Sequence, residues 1–263
     1  MERSLVQRLV AEFVGAFALV FIGVGAIIST QAPGGGLVNV AFAHGLAVAV
    51  MVSAVGHISG GHFNPAITIG AWVAQRIRLG DAVSYLGVQL LGGVAGAGLL
   101  RLAVPKDIWS PVSLGSPRVA AGVPGFGAGQ AVLIEAVLTF FLVWVVFATA
   151  MDPDGAFSKI AGLAIGLTIT MGIMFGGPFT GAAMNPARAF GPTLVGNFWT
   201  GSQWWVYWVG PVAGGIIAAL LYDTLFLRTR AKQLLDETAA PPPAEPEFGG
   251  PGEPAPPAPT AEG

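Results

Sequence analysis

Two copies of one tripeptide stand where a helix start could do chemistry. Asn64-Pro65-Ala66 and Asn185-Pro186-Ala187 lie 121 residues apart in a chain of 263. Asparagine is among the best N-caps, proline suits the first helical position because no N–H is missed there, and alanine is the strongest helix former. Each tripeptide therefore starts a helix abruptly. The cap oxygen accepts a bond from its own helix, which leaves the amide NH2 to face something polar. Two such starts brought together would present donors at two positive dipole ends. A neutral molecule with a lone pair is welcome there, and a proton or cation is repelled. Arg188, three residues after Asn185, adds a charge that is costly at membrane depth and functional by default.

Other chemistry is thin. His44, His57 and His62 fall within 19 residues, but the chain has no cysteine and no carboxylate lies near them, so no metal is expected. No nucleophile–base pair or cofactor loop is visible, so neither an enzyme nor a cofactor is expected. The formal net charge of −2 gives no nucleic-acid footprint. Glu12 and Glu135 sit in apolar runs at equivalent places in the two halves. A proton relay is one reading of them. The favoured reading is structural, each carboxylate accepting bonds from the loop that precedes a half-helix.

The elements that must position these residues are membrane spans. The chain is 54% hydrophobic and 10% charged, with 39 glycines, whereas a soluble domain carries about 25% charged residues. A span needs roughly 20 mostly apolar residues. Six stretches qualify: 8–28, 37–56, 82–103, 129–150, 158–176 and 203–225. The first is read as a span and not a removed signal peptide, because Glu12 interrupts it and no small-residue cleavage site follows. Segments 64–74 and 185–195 are too short to cross. Each follows a glycine-containing loop, HISGGHF or GGPFTGAAM, and is expected to re-enter the membrane as a half-helix lining a cavity.

The repeat is wider than the tripeptides. SGGHFNPA (59–66) matches TGAAMNPA (180–187), AHGL (43–46) matches AIGL (164–167), and AEFVGAFALVF (11–21) resembles IEAVLTFFLVW (134–144). Repeat one spans about 1–105 and repeat two about 128–228. Three spans per half is odd, so the second half enters the membrane upside down, as an inverted repeat with its site at the midplane. Arg3, Arg8, Arg76, Arg78, Lys159, Arg228, Arg230 and Lys232 fall on one side, and Arg101, Lys106 and Arg118 on the other. The positive-inside rule then places both termini in the cytoplasm. The Pro-rich acidic stretch over 233–263 reads as a disordered tail.

The two Asn-Pro-Ala boxes, SGGHFNPA, NPAR (185–188) and YWVGP (207–211) together resemble the aquaporin, or major intrinsic protein, family over about 1–228. The resemblance implies an all-α membrane fold of six helices plus two re-entrant half-helices around one pore per subunit, assembled as a homotetramer in the lipid bilayer. It implies a passive channel for water, with ammonia and other small neutral solutes, that excludes protons and ions. It implies a four-residue constriction of His44, Ile173, Ala182 and Arg188, and pore-facing carbonyls at Gly60, Gly61, His62, Gly181, Ala182 and Ala183. His44 stands where water-selective members have Phe, and Ile173 where they have His. The constriction is similar instead to that of plant tonoplast intrinsic proteins, several of which pass ammonia or urea. His57 and His62 are read as bracing the loop. The expected setting is a bacterial inner membrane.

Three alternatives stand beside this reading: a glycerol or small-polyol facilitator, a coupled transporter, and a structural member with a closed pore. Ala189 replaces the Asp that glycerol facilitators carry after NPAR, and no ion-binding carboxylate cluster sits near the half-helices.

Overall fold

The computed structural model describes residues 3–31, 35–155, 158–199 and 203–229. The Pro-rich tail, Arg230 and Lys232 lie outside the described residues. Six long apolar helices are present: α1 (Leu5–Ser29), α2 (Leu37–Ser59), α4 (Leu79–Ala103), α5 (Ala128–Met151), α6 (Ala161–Thr180) and α8 (Val206–Leu227). Two half-length helices lie among them, α3 (Pro65–Val73) and α7 (Pro186–Gly196).

The pairing of helices repeats across the two halves. α1 packs on α4 as α5 packs on α8; α7 packs on α4 as α3 packs on α8; and α2 meets α6 between the halves. Glycines set these distances. A Cβ on Gly166 of α6 would lie 2.3 Å from the Gly45 carbonyl of α2, and one on Gly214 of α8 would lie 1.9 Å from the Ala136 carbonyl of α5. Only backbone fits at those crossings, the usual device where lipid supplies no hydrophobic drive between helices. Large apolar side chains such as Val6, Leu46, Leu91, Leu133 and Phe175 point outward, as a bilayer requires.

Helix ends depart from the hydropathy windows for local reasons. α1 starts at Leu5, earlier than expected, because Ser4 and Gln7 form a capping box: Ser4 Oγ accepts from Gln7 N at 3.3 Å, and Gln7 Oε1 accepts from Ser4 N at 2.9 Å. α2 and α6 run on to Ser59 and Thr180, into segments expected to be loop. Both stop at a glycine in the left-handed region, Gly60 (φ 93°) and Gly181 (φ 83°). On the side that holds the N-terminus, the buried Asp223 of α8 accepts from Arg76, just past α3, and from Arg228. This pair ties the first half-helix to the last span.

Candidate functional site

The half-helices begin as their sequences dictate. Asn64 Oδ1 accepts from Ala66 N at 2.8 Å; Asn185 Oδ1 accepts from Ala187 N at 2.9 Å and Arg188 N at 3.2 Å. The leftover amide groups are only half free. Asn64 Nδ2 donates to the Met184 carbonyl at 2.8 Å, and Asn185 Nδ2 donates to the Phe63 carbonyl at 2.9 Å. Each half thus clips the other, and each amide keeps one N–H. Both asparagines line a narrow central chamber, the point where the two inverted helix starts meet.

The loops before the half-helices are held from behind. Glu12, fully buried, accepts from Ser59 Oγ (2.7 Å), His62 N (3.0 Å), Phe63 N (2.7 Å) and Gln89 Nε2 (2.8 Å). Glu135, equally buried, accepts from Thr180 Oγ1 (2.7 Å), Ala183 N (2.9 Å) and Met184 N (2.7 Å). Tyr85 and Tyr207 donate to the Ser59 and Thr180 carbonyls, each at 2.8 Å. These bonds hold Phe63 (φ 48°), Ala182 (φ 44°) and Met184 (φ 50°) in the left-handed region, which costs a non-glycine residue on the order of 1–3 kcal/mol. With their N–H groups spent on the scaffold, the loops run along the lumen. Gly61, His62, Ala182 and Ala183 line the central chamber. Gly60 lines a vestibule of about 310 Å³ on the N-terminal side, and Gly181 one of about 460 Å³ on the other.

His44, Ile173, Ala182 and Arg188 are all buried and all line the central chamber; Ile173 and Arg188 also line the larger vestibule. His44 Nδ1 lies 2.8 Å from the Val40 carbonyl, which can only accept, so Nδ1 carries the proton. Nε2 is then a lone pair, and it accepts from Arg188 Nε at 3.3 Å. Arg188 Nη1 donates to the Gly115 carbonyl at 3.2 Å. The guanidinium is pinned from two directions. Val48, Leu142, Ile165, Ile169 and Ile173 make the rest of the wall apolar.

Two partners were not foreseen. Gly115 belongs to the connection between α4 and α5, 73 residues from Arg188, and no local pattern marks its carbonyl as an arginine acceptor. Gln89, buried in α4, joins Glu12 to Thr68 Oγ1; a polar residue inside an apolar span was the available signal. The histidines separate. His62 Nδ1 meets Thr68 Oγ1 at 3.0 Å behind the first loop, in keeping with a bracing side chain. His57 does not brace the loop: it is exposed in the smaller vestibule, beside Lys159, because α2 continues past it to Ser59.

A six-span bundle whose two half-helices meet around a polar-striped lumen, with a vestibule towards each end, is the architecture of a membrane channel. Comparison with known proteins agrees. The model of the family described as major intrinsic protein matches residues 1–222. Aquaporin TIP4-4 of Zea mays is 46% identical over 233 residues, covering 86% of this chain and 89% of that protein. The lens fiber major intrinsic protein of Gallus gallus is 38% identical over 252 residues, covering 92% and 93%. The X-ray structure of the aquaglyceroporin from Plasmodium falciparum shares the fold, with a TM-score of 0.75 and 24% identity over 87% of this chain and 100% of that one. The chain belongs to the major intrinsic protein family and is a multi-pass integral membrane channel of the aquaporin type. These relatives are plant, vertebrate and protozoan, so they lend the expected bacterial inner membrane no support.

Proposed function

We infer that the lumen conducts water and admits ammonia and other small neutral solutes while excluding protons and ions. One observation carries this reading. Two helix N-termini and the Arg188 guanidinium converge on a lumen whose lining, among the described residues, includes no carboxylate. The fixed field there is positive, so a hydronium or metal ion meets repulsion without a counter-charge, whereas a neutral molecule with a lone pair meets donors. The lining also disfavours a coupled transporter, which needs an ion ligand. Ile173 and Ala182 offer no side-chain hydrogen bond at the constriction. A molecule with fewer polar partners than water loses less there, which favours ammonia beside water.

In this reading Asn64, Pro65, Ala66, Asn185, Pro186 and Ala187 form the central barrier. His44, Ile173, Ala182 and Arg188 form the filter, and the carbonyls of Gly60, Gly61, His62, Gly181, Ala182 and Ala183 form the acceptor track. Glu12 and Glu135 hold that track in shape. The vestibule beside His57 and Lys159 is the cytoplasmic one, with both termini on that side, and four copies assemble in the bilayer.

Stopped-flow light scattering and internal-pH recording on reconstituted liposomes test the reading, in a thick sterol-rich bilayer that suppresses background ammonia leak. Water and ammonia flux should exceed empty vesicles, and glycerol flux should not. Glycerol flux matching that of water would overturn it in favour of a polyol facilitator, and proton flux tracking water would overturn the barrier assignment. Native mass spectrometry reads the subunit number.

A further inference from the structure

We propose that Gly23 is a positioning residue of the filter: it forms a notch in α1 that houses the His44 imidazole and so sets the width of the constriction and the place of Arg188. The proposal rests on the filter reading above. Gly23 is buried in the π-helical segment Leu19–Val24 of α1. A Cβ on Gly23 would lie 2.5 Å from His44 Cδ2, 2.6 Å from Cγ and 2.8 Å from Nε2. The ring therefore lies flush against bare backbone.

The imidazole has no easy way to give. Its Nδ1–H is committed to the Val40 carbonyl and its Nε2 to Arg188 Nε, and it is 2% exposed. Cγ is close to the ring's own anchor on α2, so a rotamer change large enough to clear a methyl group breaks one or both bonds. The open direction is the lumen that His44 lines. A methyl at 23 should push the ring inward and release the guanidinium from one of its two anchors.

The other repeat shows that this crossing does not demand glycine. The equivalents of Gly23 and His44 are Val146 and Ile165, both about 3% exposed and both in one apolar core. The second repeat thus carries a branched side chain at this place, in aliphatic surroundings. Glycine appears where the neighbour is the filter imidazole. That correlation points to the ring, not to helix–helix distance, as the reason for the missing side chain.

Purified Gly23→Ala, His44→Ala and the double variant should be compared with wild type in liposomes for water and ammonia flux, with thermal stability in detergent as the fold control. Wild-type water flux is measured first, so a failure of the channel reading is separate from a failure of this one. Overpacking a tight site by one methyl opposes the native geometry strongly enough that Gly23→Ala should cut water flux about tenfold. The double variant should conduct as His44→Ala does, because the group that clashes is gone. The same comparison decides if Gly23→Ala fails to fold: the double variant should then fold and conduct like His44→Ala. Unchanged flux in Gly23→Ala overturns the proposal. So does a double variant that conducts far less than His44→Ala or does not fold, since either outcome assigns Gly23 to helix packing.

Discussion

The two buried glutamates invite a comparison because they look alike in sequence and differ in their partners. At Glu12 each carboxylate oxygen accepts two donors: Ser59 Oγ and His62 N on one, Phe63 N and Gln89 Nε2 on the other. At Glu135 one oxygen accepts two, from Thr180 Oγ1 and Ala183 N, and the other accepts only Met184 N. Replacing either with Gln turns one acceptor into a donor of nearly the same shape. At 12 the NH2 strands a backbone N–H in either placement, and beside it either Gln89 Nε2 loses its acceptor or the Ser59 hydroxyl must turn from donating to accepting; at 135 the amide can place its nitrogen where Met184 N alone is lost. A stranded buried donor costs about 1–3 kcal/mol, so Glu135→Gln should cost about that much, and Glu12→Gln that much plus the roughly 0.5–1.5 kcal/mol of the bond that Ser59 no longer donates. Turning the Gln89 amide over does not rescue the first variant. It strands Phe63 N–H and sends the Gln89 nitrogen to a position where its oxygen finds no partner. Thermal unfolding in one detergent, followed by loss of the monodisperse size-exclusion peak, reads the order, and stopped-flow water flux reads the consequence for the loop. Glu12→Gln should melt lower and lose more flux. Equal melting of the two variants, or a lower transition for Glu135→Gln, would refute the hydrogen-bond accounting.

Three further outcomes test the filter. Arg188→Val removes the fixed charge while Asn185 can still cap α7, so proton or cation leak should rise with water flux retained; an unchanged leak in folded protein counts against the assigned role. The chain has no cysteine, so mercurials should leave it unblocked, whereas Ala182→Cys should introduce inhibition if Ala182 lines the narrow lumen. His44→Phe with Ile173→His refills one wall and adds a hydrogen-bonding demand to another. A pocket change of this size is worth about 1–3 kcal/mol, so the ammonia-to-water permeability ratio should fall roughly tenfold; a ratio that stays put means the filter is assigned to the wrong side chains.

Local chemistry explains what was legible in the sequence. Spans announce themselves by composition, and the half-helices by Asn-Pro-Ala, because an N-cap and an N1 proline act within four residues. Ser4-x-x-Gln7 was an equally local signal and places the start of α1. The ends of α2 and α6 were harder: the glycine-rich segments looked like loops throughout, yet they stay helical until one glycine turns left-handed. Least legible were the bonds between halves. Asn64 to Met184, Asn185 to Phe63 and Arg188 to Gly115 join residues 120, 122 and 73 positions apart, and their acceptors are backbone carbonyls that any residue type supplies. Side-chain identity cannot reveal a partner of that kind.

The inverted repeat gives both loops one scaffold, so selectivity has to come from where the halves differ. Each half keeps a buried glutamate, a tyrosine on the loop carbonyl and an asparagine clipped to the other side. Around that shared frame the substitutions are directional. In the first half, His62, Thr68 and Gln89 build a polar brace, where the second has Ala183, Ala189 and Pro211 at the equivalent places. The first loop is therefore the stiffer, and Glu12 carries the additional donor. Where the chamber meets the larger vestibule, the pattern reverses: His44 and Arg188 bring a lone pair and a charge into the wall, while their counterparts Ile165 and Ile67 are both apolar and both line the chamber. A symmetric lumen would present the same barrier twice in series. This one places the one charge lining its chamber among the described residues, Arg188, at one end and apolar Ile67 and Ile165 at the counterpart positions, so on the proposed reading a permeant meets a fixed guanidinium once. Single changes at Arg188 should therefore move ion exclusion much further than changes at Ile67.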